Sequence, residues 1–117
     1  MGTFLFILQI ILVVAFVLFG FMKFGKQMGE EFERFGYSAW CRIVTGLVEL
    51  VAAVLLIAGF WNKTSLAWGA LLISLTMIGA VITHLKVKDS FSKYASPLVL
   101  LIIGLIVLFS NWGSLFG

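Results

Sequence analysis

The sequence predicts an all-α integral membrane protein, a four-helix bundle with antiparallel neighbouring helices and both termini on the outer side. Composition is the first reason. The chain has 117 residues, 62% of them hydrophobic and 11% charged, against roughly 45–50% and about 25% in an average globular chain. So small a soluble fold cannot hide that much apolar surface, whereas a bilayer acts as its solvent. The second reason is patterning: four stretches approach the ~20 apolar residues that a helical span needs. The third is charge. Lys23, Lys26, Arg34 and Arg42 flank or lie in the first connection, Lys86, Lys88 and Lys93 lie in the third, and Lys63 alone lies in the second. The first and third connections fall on the same side, so the basic residues segregate, and the positive-inside rule makes that side cytoplasmic.

The spans are expected at residues 4–22, 40–60, 65–85 and 95–112 of one membrane domain covering 1–117. The first lacks a basic start and a small-residue cleavage site, and runs instead into "FGFMKFGK", so it reads as a retained span rather than a signal peptide. Between spans one and two, Phe24, Met28, Phe32 and Phe35 recur at helical spacing. This suggests either a short amphipathic helix on the inner membrane surface or a turn whose phenylalanines pack under the bundle. Glycines 25, 29 and 36 weigh against the helix. Trp61, Trp68 and Trp112 near the outer ends, with Tyr37, Trp40 and Tyr94 near the inner ends, fit an interfacial aromatic belt.

Several kinds of chemistry are excluded. A single cysteine, Cys41, rules out an internal disulfide, a CxxC pair and an iron–sulfur cluster bound by this chain alone. A single histidine, His84, rules out a bis-histidine haem within the chain, and no metal-ligand cluster is expected. Nucleophile–base pairs and phosphate loops are absent from the pattern. The catalytic residues are therefore left unassigned, and a non-catalytic subunit or binding protein is a better reading than a free-standing enzyme. The basic residues border hydrophobic spans, so the net charge of +3 reflects topology and no nucleic-acid partner is expected.

Glu49 is the one acidic residue inside a span. Counting from Trp40 at 1.5 Å per residue places it about 14 Å deep. A carboxylate there faces the bundle or a wet cavity and needs a partner. Arg42, Thr45 and Glu49 share a helix face continued by Ala52, Ala53 and Leu56. The first span offers Gln9, Phe16, Gly20 and Lys23, and the third offers Thr76, Ala80, Thr83 and His84. One inward-facing pocket is expected to collect Glu49, His84, Lys23, Arg42, Thr45 and Thr83 for ligand binding or proton handling. A purely structural reading runs beside it: Glu49 pairs with Arg42 or Lys23 and holds helices together, or stays protonated. Gly46, Gly59, Gly69, Ala70, Gly79 and Gly104 allow close helix contacts.

Four motifs carry a resemblance. They are "FGFMKFGK" with its G-x-x-K; "FERFGYSAW" followed by "GLVELVAAVLLIAG" with its G-x-x-E-L; "MIGAVITHLKVKDS", close to M-x-x-A-x-x-x-H-L-x-x-x-D; and "ASPLVLLIIGLIVL" with its A-x-P. In this order, over roughly residues 16–108, the chain resembles the DoxX-like membrane proteins of the DoxX and DoxD group. Ser38 departs from the pattern, since many members carry proline there. The resemblance implies a four-helix membrane bundle with Lys23, Glu49 and His84 at characteristic polar positions. It also implies a range of roles. The namesakes look like small subunits of quinone-linked oxidoreductases, and animal relatives act as assembly chaperones for receptor channels.

The leading expectation is a small subunit of a quinone-linked membrane redox complex, or a binder of a lipid-soluble ligand around Glu49. The chain builds no cofactor site alone, and a quinone or lipid is the expected ligand. The alternatives are an assembly factor or interaction subunit without ligand and, third, an oligomeric small-solute transporter. Expected partners are the bilayer and another membrane protein or a second copy. A bacterial inner membrane is the expected location, with the basic loops cytoplasmic.

Overall fold

A computed structural model of the chain describes residues 2–116. It contains α1 (Gly2–Met22), α2 (Lys26–Phe35), α3 (Ala39–Ala58), α4 (Lys63–Lys86) and α5 (Phe91–Ser110), then a short 3-10 segment, Trp112–Phe116. Four of these helices, α1, α3, α4 and α5, are long and apolar enough to cross a membrane. The molecule measures 39 Å along its longest axis, enough to cross a hydrocarbon core of about 30 Å.

The helices pack in chain order, α1 on α3, α3 on α4 and α4 on α5, with a lighter contact between α1 and α5. Glycines set the crossings. A Cβ at Gly46 would lie 3.1 Å from the Gly20 carbonyl oxygen, and one at Gly69 would lie 3.2 Å from that of Ala52. A Cβ at Gly104 would lie 3.0 Å from the Ile73 side chain. Without a hydrophobic drive between helices in lipid, such close approach supplies the packing. Leu12, Phe16, Ala52, Ala53, Leu56, Ala70 and Ile73 form the core. The large apolar side chains left outside, such as Val14, Leu18, Val54, Val99 and Ile102, form a surface suited to lipid.

Gln9, on the predicted α1 face, proves to be a clip. Its Nε2 donates to the Leu56 carbonyl at 2.7 Å, near the end of α3 where carbonyls lack helical donors.

The first connection combines both sequence expectations. It is a helix, and Phe32 and Phe35 are buried beneath the bundle. Two of the three glycines prove to be its punctuation. Gly25 is the N-cap and Gly36 ends the helix in the left-handed region at φ 82°. The Tyr37 N–H donates to the Phe32 carbonyl at 2.9 Å and the Gly36 N–H to that of Glu33 at 3.0 Å. This is a Schellman closure, completed by contact of the Phe32 and Tyr37 rings.

The same closure ends α4. Asp89 N–H donates to the His84 carbonyl at 2.9 Å and Lys88 N–H to that of Leu85 at 3.1 Å. Here Lys88 occupies the left-handed position, at φ 62°, at a cost of roughly 1–2 kcal/mol for an L-residue. Ser38, the departure from the family pattern, caps α3 through its Oγ, which accepts the Cys41 N–H at 3.2 Å.

α5 begins at Phe91 and ends at Ser110, four residues earlier at its start than hydropathy suggested. Its first turn, Phe91–Tyr94, is polar enough to escape a hydropathy window. Pro97 therefore lies within the helix. Tyr37, expected in the interfacial belt, is drawn inward by its closure, while Trp40 and Trp61 stay largely exposed.

Candidate functional site: a polar-ended cavity

α3 and α4 pack tightly at the Trp61 end and separate toward the opposite one. Between them, closed by α2 and by the adjacent ends of α1 and α5, lies a cavity of about 670 Å³. That is within the roughly 300–1,000 Å³ typical of ligand sites. Its walls are mostly apolar, with Phe19, Met22, Met28, Phe32 and Met77 among them.

Of the six residues singled out in the sequence, Glu49, Lys23, Thr45, Thr83 and His84 line this cavity. Arg42 is not brought to it. Its Nη1 donates instead to the Lys23 main-chain carbonyl, one of the orphan acceptors at the end of α1. Arg42 thus fixes the backbone of the lysine that does line the cavity.

Glu49 is 1% exposed, and its Oε1 lies 2.9 Å from Lys23 Nζ. That oxygen is enclosed and meets no other donor among the described residues, so the ammonium is its one polar partner. Thr45 and Thr76 bond back to the carbonyls of Cys41 and Leu72, at 2.8 and 2.7 Å, which satisfies their hydroxyl hydrogens within their own helices.

The loop end of the cavity carries a second polar group, which the sequence reading missed. Arg34 holds Asp89 with two hydrogen bonds, of 2.8 and 3.0 Å. It also holds Glu31 with two, of 2.9 and 3.1 Å. Asp89 Oδ2 lies 2.6 Å from His84 Nδ1, and Tyr37 Oη lies 2.9 Å from Thr83 Oγ1. Signals for this group were present in the chain: the aspartate five residues after His84, and the tyrosine directly after Gly36.

Hydrogen bonds from Arg34, then from His84, hold the Asp89 carboxyl down at about 2, against an ordinary 3.8. Arg34 likewise lowers Glu31, and its own guanidinium is raised by the two carboxylates. With Asp89 ionised, His84 Nδ1 is the donor, which leaves Nε2 as the nitrogen available to the cavity.

The linkage has a definite sign. A carboxyl whose folded value is depressed stabilises the fold fully above its unfolded value, and that contribution disappears as pH falls through the folded value. Thermal unfolding in mild detergent should therefore show stability dropping between about pH 4 and about pH 2 as Asp89 protonates. Asp89→Asn should be less stable than wild type at neutral pH and should lose most of that slope. An unchanged slope would mean the network does not hold α2 in place.

These features define a class, a small four-span helical membrane protein with a polar-ended cavity inside one half of its bundle. The chain belongs to the DoxX-like family, which it matches over residues 7–107. It is similar to the Bacillus subtilis (strain 168) protein YdgD, itself uncharacterized, at 24% identity over 84 residues, 71% of this chain and 74% of that one. No solved structure matches it.

Proposed function

We propose that this DoxX-like protein binds a lipid-soluble ligand with a neutral head that both donates and accepts hydrogen bonds, of which the quinol form of a quinone is an example, and serves as a small subunit of a membrane redox complex. One observation carries the reading. A carboxylate is buried on the wall of a largely apolar cavity, with the Lys23 ammonium 2.9 Å away as its charged partner. A carboxylate can accept about four hydrogen bonds, so one ammonium leaves acceptor capacity for the head of a ligand.

Glu49 and Lys23 together are neutral, so a head group that donates to one and accepts from the other suits them better than a charged one. Thr45 and Thr83 flank the path, and His84, oriented by Asp89, offers Nε2 toward the loop end. Arg42 acts as a positioning residue for Lys23. Within this reading Glu49 and His84 take up the protons that the bound quinol head releases on oxidation, while its electrons pass to a partner subunit. The basic loops, both at the α2 end, face the cytoplasm of a bacterial inner membrane. The charge asymmetry of the connections supports that sidedness, and the Bacillus relative supports the setting.

Native mass spectrometry of gently solubilised wild type should show a reproducible added mass that Glu49→Gln lacks, with the variant still folded. Added mass on both proteins would remove Glu49 from the site. No added mass on wild type, together with a co-purifying membrane protein, would replace the ligand by a partner helix and make the chain an assembly factor.

A further inference from the structure

We propose that the ligand enters sideways from the bilayer, through a cleft between α3 and α4, and that its apolar tail lies in that cleft while its head reaches Glu49 and Lys23. The proposal rests on the ligand reading above and adds the route and the shape of the ligand, a membrane amphiphile with a neutral head.

Two glycines of α4 carry the argument. A Cβ at Gly69 would meet Leu55 Cβ at 3.1 Å and the Ala52 carbonyl at 3.2 Å, so α3 and α4 touch there. A Cβ at Gly79, almost three turns further along the same helix, would meet nothing within 4 Å. Yet Gly79 lines the cavity. Residues of both helices line the cavity beyond the Gly69 contact, so α3 and α4 leave a V-shaped space between them, with Glu49 near its apex.

The lips of the V are apolar stripes at helical spacing: Cys41, Val44 and Val48 on α3, and Leu75, Gly79 and Ile82 on α4. The antiparallel hairpin sets Val48 level with Leu75, and Val44 level with Gly79. These residues face the cavity and also the outside. Val44 is 38% exposed, Leu75 58% and Ile82 59%. They lie within helices long enough to span a membrane, with Val48 and Leu75 furthest from the helix ends and Cys41, beside Trp40, at the edge of the span. An apolar tail passing between Val48 and Leu75 never leaves hydrocarbon.

The loop end suits an apolar tail less well. The charged Glu31 and Lys93 line it, and α2 covers it, held by the paired hydrogen bonds from Arg34 to Asp89, the bond between Tyr37 and Thr83, and the buried rings of Phe32 and Phe35. Lifting the helix would expose both buried phenylalanines. Entry through the cleft breaks none of these contacts.

Cys41, the only cysteine, sits on one lip and serves as the reporter. The protein is placed in nanodiscs of phosphatidylcholine and phosphatidylglycerol. It is labelled with pyrenyl maleimide, which partitions into the bilayer, or with a charged, water-borne methanethiosulfonate. Gly79→Trp, which fills the open space, should slow pyrenyl maleimide by about tenfold or more and leave the water-borne reagent within about twofold of its wild-type rate. Gly79→Ala should label like wild type. Wild-type rates of pyrenyl maleimide labelling in Gly79→Trp would overturn the lateral route. Should Gly79→Trp fail to fold, Val44→Trp on the opposite lip carries the same expectation. Glu49→Gln separates the two readings, because it should lose the bound mass yet keep wild-type labelling. If Gly79→Trp slows labelling but wild type carries no added mass, the cleft stands and the ligand assignment falls.

Discussion

Replacing Lys23 with methionine is expected to destabilise the bundle by about 3–5 kcal/mol, the usual effect of removing one partner from a buried ion pair. The glutamate left behind is 1% exposed, and Lys23 is its sole ion-pair partner among the described residues. Water cannot replace the ammonium at that depth without flooding the cavity. The cost should come from the orphaned carboxylate, not from lost packing, because methionine keeps most of the aliphatic stem of lysine.

A second substitution tests this attribution. In Lys23→Met combined with Glu49→Leu both charges are gone, and stability should return to within about 1–2 kcal/mol of wild type, since replacing a whole buried pair by apolar groups is often neutral. Denaturation in detergent followed by circular dichroism measures all three proteins. A single variant as stable as wild type would mean that the pair contributes nothing to the fold. A double variant no better than the single would place the cost in packing at the end of α1. The double variant should also lose any bound ligand while folding well, which separates stability from binding.

The parts of the site that were legible in the sequence are those that physics makes conspicuous. A carboxylate in a hydrophobic span is expensive, so Glu49 stood out, and helical periodicity placed Thr45 on its face and Thr83 and His84 on another. Lys23 followed as the nearest cation on a neighbouring span. Arg42 shows where periodicity stops helping. It shares the Glu49 face by spacing, but its long side chain turns to the Lys23 carbonyl, an acceptor that exists only because α1 ends there.

Asp89 was visible only as the end of a motif, Arg34 as a loop charge and Tyr37 as an interfacial ring, and their common site was hidden for a related reason. They reach the site through tertiary contacts set up by two left-handed helix endings, at Gly36 and Lys88, and the second has no glycine to announce it. Gly25 and Gly36 were legible as glycines and misread in sense, as breakers of α2 when they are its two caps. The start of α5 slipped because a polar first turn carries no hydropathy signal.

The α1–α3 crossing is where fold and site meet, so Gly46→Leu is expected to be the most damaging packing change. Even the Cβ of alanine at this position would lie 2.7 Å from Lys23 Cβ and 3.1 Å from the Gly20 carbonyl oxygen. Neither atom is the movable tip of a side chain, so α1 must shift. Gly20 makes the contrast. A Cβ there would meet mainly the end of the Leu50 side chain, at 2.6 and 2.7 Å, which can rotate away. The motifs G-x-x-K and G-x-x-E thus share one physical logic. Gly20 and Gly46 let the two backbones touch, and this contact lets Lys23 reach back across Gly46 to Glu49 one turn deeper.

Overpacking usually costs about 1–3 kcal/mol. Gly46→Leu should reach at least the top of that range because it separates the ion pair as well as the helices. The expected order of stability loss is Gly46→Leu, then Gly46→Ala, then Gly20→Ala, with Gly79→Ala near zero. The bound mass seen on wild type should vanish with Gly46→Leu even under conditions where the variant remains helical, because Lys23 no longer reaches Glu49. Gly46→Leu that unfolds at the wild-type denaturant midpoint would show that α1 and α3 do not cross at these glycines. A folded, destabilised variant that still carries the ligand would show that Lys23 is dispensable to binding, leaving Glu49 to hold the head group alone.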